Sequence, residues 1–241
     1  HREDTGGNVE LLLLHRLTDG LWKVLGKPAR TLKVGTRITI DDSMPGPISK
    51  RGTRNPNLSA VVVEESDGGL RTIRFQCEES ALLAGHTPLP PYIHQPLGDP
   101  ERYQTIYSRV PGSTAAPTAG LHFTPNLLET LRTVGVRIAY ATLHVGADTF
   151  RPVREDNPSK HKLGGEAFTL GEAAASELTA ARLEGRRIVA VGTTSVRLLE
   201  QVALSSKMRN SHQVMPTQGW TDLYILPGHK FQLVDAMITN F

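Results

Sequence analysis

Between Gly85 and Pro100 the chain carries five prolines, at positions 88, 90, 91, 96 and 100. Each removes a backbone donor and fixes φ, so none can sit inside a helix or a central strand. This stretch therefore divides the chain, and the patterning differs on its two sides. We place the boundary at 86, giving domains 1–86 and 87–241. On the first side the sequence predicts short strands at Val9 to Leu14, Thr36 to Ile40, Leu58 to Val63 and Leu70 to Phe75. Turn sequences separate them: Thr18-Asp19-Gly20, Met44-Pro45-Gly46-Pro47 and Ser66-Asp67-Gly68-Gly69. Closely spaced short strands without a good helix among them point to a small barrel or sandwich.

The second side alternates helix and strand. Thr124 is placed to N-cap a helix with Pro125 at its first position, Leu127, Leu128, Leu131 and Val134 on one face, and Gly135 as its stop. A strand is expected from Val136 to Val145, a helix from about Gly171 to Leu183 and a buried strand over Ile188 to Val191. A third helix is expected from Ser195 to Leu204, and a hairpin from Asp222 to Ile225 and Phe231 to Val234. This alternation is that of an α/β domain.

Composition excludes several classes. A single cysteine, Cys77, rules out an intrachain disulfide scaffold. Apolar runs such as Leu11 to Leu14 are too short to cross a bilayer, and no basic segment followed by an apolar one opens the chain. The expected setting is cytoplasmic, without a membrane partner. A net charge of +3 permits a nucleic-acid partner without demanding one. HExxH and GxSxG motifs, the dinucleotide-binding GxGxxG and the phosphate-binding GxxxxGK[ST] are all absent, and no metal site is expected.

Three segments can carry chemistry. In Val191-Gly192-Thr193-Thr194-Ser195-Val196-Arg197 a strand passes through a glycine directly into a helix, whose open N–H groups favour a carboxylate or phosphate. Arg197 can add a charged fork. The competing reading is that Thr194 or Ser195 simply caps the helix, and spacing alone favours it. The second segment, Pro111 to Phe123, is rich in small and hydroxyl residues and ends with His122 just before a helix cap. It reads equally as a ligand loop with an acid or base, or as an ordered loop with a surface histidine. In the third, His144 ends a strand and Asp148 follows in the loop, so the two can pair as an oriented base, although a strand histidine is more often structural. Downstream, Arg151, Arg154, Lys160 and Lys162 surround His161, a basic cluster suited to phosphates that also reads as a solvated loop.

Together these segments resemble one family. The resemblance rests on Leu89-Pro90-Pro91-Tyr92-Ile93, Glu101-Arg102-Tyr103-Gln104-Thr105-Ile106-Tyr107 and the run from Ala115 to Thr124. It continues through Thr142-Leu143-His144-Val145-Gly146, Phe150-Arg151-Pro152-Val153, Gly192 to Arg197 and Thr239-Asn240-Phe241. The chain is similar in all of them to the S-adenosylmethionine:tRNA ribosyltransferase-isomerases of queuosine biosynthesis. The resemblance implies an α/β domain with a mixed sheet plus a separate small β-barrel domain, each partial here, because family members carry segments before residue 1 and after residue 241.

The implied reaction moves the ribosyl part of S-adenosylmethionine onto an aminomethyl-deazaguanine base at the tRNA wobble position. Adenine and methionine leave and epoxyqueuosine forms, with no cofactor beyond S-adenosylmethionine as co-substrate. The expected partners are that co-substrate and a tRNA anticodon loop, bound by a monomer. His122 and His144 are the acid/base candidates. Thr118 and Gly120 shape the pocket, Gly192, Thr193, Thr194, Ser195 and Arg197 bind the methionine carboxylate, and Arg151, Arg154, Lys160 and Lys162 meet RNA.

Departures from the family pattern are Asp148 in place of a glycine, and Gly164 in place of the second histidine of a His-x-x-His-x-Glu pattern that keeps His161 and Glu166. They support an alternative, a non-catalytic tRNA- or nucleotide-binding remnant of the same fold. A methyltransferase reading lacks the glycine-rich first turn it needs.

Overall fold

A computed structural model of the chain describes residues 1–40, 58–90, 93, 95, 97–146, 157, 164–205 and 213–239. They belong to two units, His1–Pro88 and Leu89–Phe241.

In the first unit, β1 (Glu10–Thr18), β2 (Leu21–Lys27), β3 (Arg37–Thr39), β4 (Ser59–Glu65) and β5 (Leu70–Phe75) form an antiparallel sheet in the order β1-β2-β5-β4-β3, followed by the short helix α1 (Glu78–Leu83). Period-two patterning sets the register: Ala60 and Val62 of β4 point inward while Ser59 and Val61 do not, and with Ile73, Val24 and Ile38 they make the core. Strand β2 was not expected. Its inward positions are Trp22, Val24 and Gly26, and the glycine breaks the apolar alternation because Leu32 fills the space where its side chain would be. Among the described residues the five-stranded sheet does not close, since β1 and β3 at its two ends do not pair with each other, so the expected small barrel is not seen as a closed one. The chain ahead of β1 returns to the other edge, where Arg2 bridges Ile38.

The second unit begins with two 3₁₀ turns, Pro100–Tyr103 and Thr118–His122, and then α2 (Pro125–Thr133). Thr124 caps α2 as expected, its hydroxyl accepting the Leu127 N–H at 3.2 Å, with Pro125 at the first position and Gly135 at φ +88° after the end. Only Leu128 of the expected apolar face is buried. The expected strand from 136 to 145 shrinks to β6 (Thr142–Leu143), the only two of its residues in register with β7; Val136 and Tyr140 are exposed.

Then follow β7 (Glu166–Leu170), α3 (Glu172–Leu183), β8 (Val189–Val191), α4 (Gly192–Leu204), β9 (Thr217–Thr221) and β10 (Ala236–Ile238). Among the described residues, two sheets stand in place of one mixed sheet: an antiparallel one ordered β6-β7-β9 and a parallel pair β8–β10. Helices α3 and α4 supply much of the core, with Ala175, Leu178, Leu198 and Val202 packing on Phe168, Leu170 and Ala190. The unit is therefore α/β.

The expected C-terminal hairpin is absent. Glu200 of α4, fully buried, instead accepts the N–H groups of Gln232, Leu233 and Val234 at 2.9, 3.0 and 3.0 Å. A backbone whose donors are taken by a carboxylate cannot offer them to a strand partner. No helix among the described residues is long and apolar enough to cross a membrane.

Candidate active site

The Thr118–His122 turn is shaped from beneath. Gly120 is buried, and a Cβ there would collide with the Tyr107 hydroxyl and lie 2.7 Å from Thr105 Cγ2. Only glycine allows so close an approach. The Tyr107 ring leans on Tyr140, centroids 5.6 Å apart, and burial, with Tyr140 adding, pushes the Tyr107 phenol above its ordinary range. Thr118 opens the turn and His122 closes it, exposed.

This turn meets the start of α4. Gly192 has φ +83°, which glycine adopts without strain, and the site of its absent Cβ is 3.5 Å from the Ala119 Cβ. Neither expected cap is used: the N-cap position is Val191, which makes no side-chain cap hydrogen bond. Ser195 Oγ donates back to Val191 O at 2.7 Å. Thr193 is exposed and Thr194 half-buried beside these first N–H groups.

Arg197 is less open to a ligand than its sequence position implies. Its Nε donates to Leu223 O at 3.0 Å and its Nη1 pairs with Glu166, while Nη2 is buried without a hydrogen-bond partner among the described residues. Glu166 is 5% exposed, and its other oxygen accepts the Gly146 N–H at 2.8 Å. The carboxylate thus joins α4 to the chain leaving β6. His144 lies two residues before Gly146, half-buried, with its backbone N–H on Ala167 O at 2.8 Å.

The structure thus joins Thr118, Gly120 and His122 with Gly192 to Arg197 through Ala119, and joins Arg197 to the His144 strand through Glu166. Arg151, Arg154, Lys160 and Lys162, with Asp148 and His161, lie outside the described residues. Spacing gave no sign of Tyr107 and Tyr140, since they sit apart from the loop they support. Glu166, legible only through the family pattern, turns out to hold Arg197. Among the described residues, no group of three or more His, Cys, Asp or Glu is placed to hold a metal ion.

The chain is similar along its whole length to known proteins. It is 44% identical over 240 residues to the S-adenosylmethionine:tRNA ribosyltransferase-isomerase of Dehalococcoides mccartyi strain CBDB1, and equally to the protein of that name from strain BAV1. Each alignment covers 100% of this chain and 66% of the relative, so the chain spans just under two thirds of those relatives' length. A crystal structure of S-adenosylmethionine tRNA ribosyltransferase from Thermotoga maritima matches at 30% identity and a TM-score of 0.36, over 98% of this chain and 60% of that one. The pattern of the Queuosine biosynthesis protein family runs from residue 1 to residue 241, glycine turns and hydroxyl loops included, and the chain belongs to that family.

Proposed function

We propose that this chain carries the reaction site of an S-adenosylmethionine:tRNA ribosyltransferase-isomerase. The ribosyl part of S-adenosylmethionine passes to an aminomethyl-deazaguanine base at the tRNA wobble position and is rearranged, giving epoxyqueuosine with release of adenine and methionine. The observation that carries this reading is the contact of the Thr118–His122 turn with the start of α4 at Ala119 and Gly192, in a chain 44% identical to enzymes of that name.

The reaction makes demands that these residues suit. The sulfonium acidifies the adjoining ribosyl carbon, so a base is needed there, and leaving adenine needs a hydrogen-bond donor. His122 and His144 are the candidates for these roles. The methionine carboxylate matches the uncapped N–H groups at Gly192, Thr193 and Thr194, where a helix start favours an anion. Ser195 and Arg197 hold that helix start in place, and Thr118 and Gly120 shape the wall opposite. Arg151, Arg154, Lys160 and Lys162 are assigned to phosphates of the anticodon loop, whose bases can be splayed out and read on their edges.

S-adenosylmethionine serves as co-substrate and no further cofactor is required. The protein acts as a monomer in the cytoplasm. We read the first unit as a small barrel, in support of which the chain ahead of β1 reaches the far edge strand at Ile38.

The test is nucleoside mass analysis of tRNA bearing the aminomethyl-deazaguanine base after incubation with this chain and S-adenosylmethionine. A mass gain equal to the rearranged ribosyl group is expected. An unmodified base together with retained tRNA binding favours the second reading, a binding remnant, to which Gly164 in place of the family's second histidine points.

A further inference from the structure

The Nδ1–Cε1 part of the His144 ring packs against Gly112. A Cβ on Gly112 would lie 2.7 Å from Nδ1 and 2.9 Å from Cε1 of that ring, closer than real side chains come. Gly112 also has φ +140°, which a side chain opposes. The loop is fastened to the strand at this point. Ser113 Oγ donates to Leu143 O at 3.3 Å and accepts the Val145 N–H at 3.2 Å, and the Thr114 N–H donates to Val145 O at 2.9 Å. With His144 N–H on Ala167 O, the backbone is pinned on both sides of the ring. Its Nδ1 is buried, and among the described residues it has no hydrogen-bond partner. Among the described residues, the carboxylate of Glu166 across on β7 is already taken by Gly146 and Arg197.

A neutral imidazole has one N–H and one lone pair. An N–H at Nδ1 would be a buried donor with no acceptor, which native structures almost never keep; an unmet acceptor is tolerated better. The tautomer with its proton on Nε2 follows. Resting on the function proposed above, we infer that His144 meets the nucleoside substrate as an Nε2–H hydrogen-bond donor, with Gly112 as the positioning residue that fixes this tautomer. The group it serves is an acceptor that gains negative charge in the reaction, a ring nitrogen of the departing purine or a ribosyl oxygen. Proton abstraction then falls to another group, and of the two histidine candidates that leaves His122.

The first test does not depend on turnover. Long-range ¹H–¹⁵N correlation spectra of the chain with ¹⁵N-labelled histidine, at pH 8, are expected to show His144 with the proton on Nε2; a dominant Nδ1–H tautomer overturns the inference. Gly112→Ala is expected to shift the His144 signals while those of His229 stay in place, and unmoved His144 signals overturn the positioning role.

The second test uses the tRNA assay. In His144→Gln the amide nitrogen stands near Nε2 as a donor, and kcat/KM is expected within about tenfold of the parent, whereas His144→Ala loses on the order of 100-fold or more. Equal loss in both overturns the donor role. A chain that turns nothing over speaks against the proposed reaction, and the spectra then decide the tautomer alone.

Discussion

Glu166 and Arg197 form a buried ion pair between the first residue of β7 and the second turn of α4, and the free oxygen of that carboxylate holds Gly146 at 2.8 Å. One side chain therefore fixes both the helix presenting the Gly192 turn and the strand end presenting His144. Removing one member of a buried pair leaves the other charge uncompensated, at a cost of about 3–5 kcal/mol. Glu166→Ala is expected to lose about that much in urea unfolding. In a double-mutant cycle, Glu166→Ala with Arg197→Met should lose less than the two single costs added together. Strict additivity would mean that the pair holds nothing together.

Gly120 carries the Thr118–His122 turn over Tyr107 and Thr105. Gly120→Ala would drive a methyl group into the Tyr107 hydroxyl and Thr105 Cγ2. Overpacking of this kind costs about 1–3 kcal/mol. Adding Tyr107→Phe removes the hydroxyl and is expected to recover part of the loss in unfolding midpoint. If Tyr107→Phe leaves the Gly120→Ala penalty unchanged, the contact is not what requires glycine here.

Glu200 accepts three consecutive N–H groups and lies 3.3 Å from His229 Nε2. Glu200→Gln keeps the shape but turns an amide NH₂ toward backbone donors. Each buried donor left unmet costs about 1–3 kcal/mol. The expected result is a destabilisation of at least about 1 kcal/mol by chemical denaturation, with hydrogen exchange at Gln232 to Val234 accelerated. Unchanged protection of those amides would show that the segment is held by other contacts.

These relationships separate what was legible in the sequence from what was not. Helix α2 was readable because its signals are local: a threonine cap, a proline in the first turn and a glycine past the end lie within a dozen residues. The loops of the site were readable as loops for the same reason. The contacts that give them chemical meaning were hidden, since Gly112 is required only once the ring of His144, thirty-two residues on, lies against it. The false hairpin after Asp222 has the same origin, for nothing in Phe231 to Val234 announces a carboxylate on α4 that takes their N–H groups. Strand β2 escaped notice because Gly26 stands where alternation wants an apolar side chain and Leu32 supplies it from elsewhere. Resemblance pointed to the candidate segments; the partners that orient them came from the packing.

In the first unit the carboxylate of Glu78 accepts two N–H groups of Arg16, both at 2.6 Å, the Trp22 indole at 2.6 Å and the Gly20 N–H at 2.9 Å. It thereby ties α1 to the β1–β2 turn. Arg16 above all, with the Gly20 and Trp22 donors adding against the opposing effect of burial, holds this carboxyl down from 4.5 to about 2. A depressed carboxyl contributes stability above its unfolded value, and that contribution fades as pH falls from about 4.5 toward 2. Glu78→Gln is therefore expected to unfold at lower urea than the parent at pH 7. The gap should narrow as the pH is lowered through 4 and 3 and nearly close by about 2. Urea midpoints for parent and variant at each pH make the comparison. Two curves falling in parallel would mean that the Arg16–Glu78 clasp contributes no acid-sensitive stability.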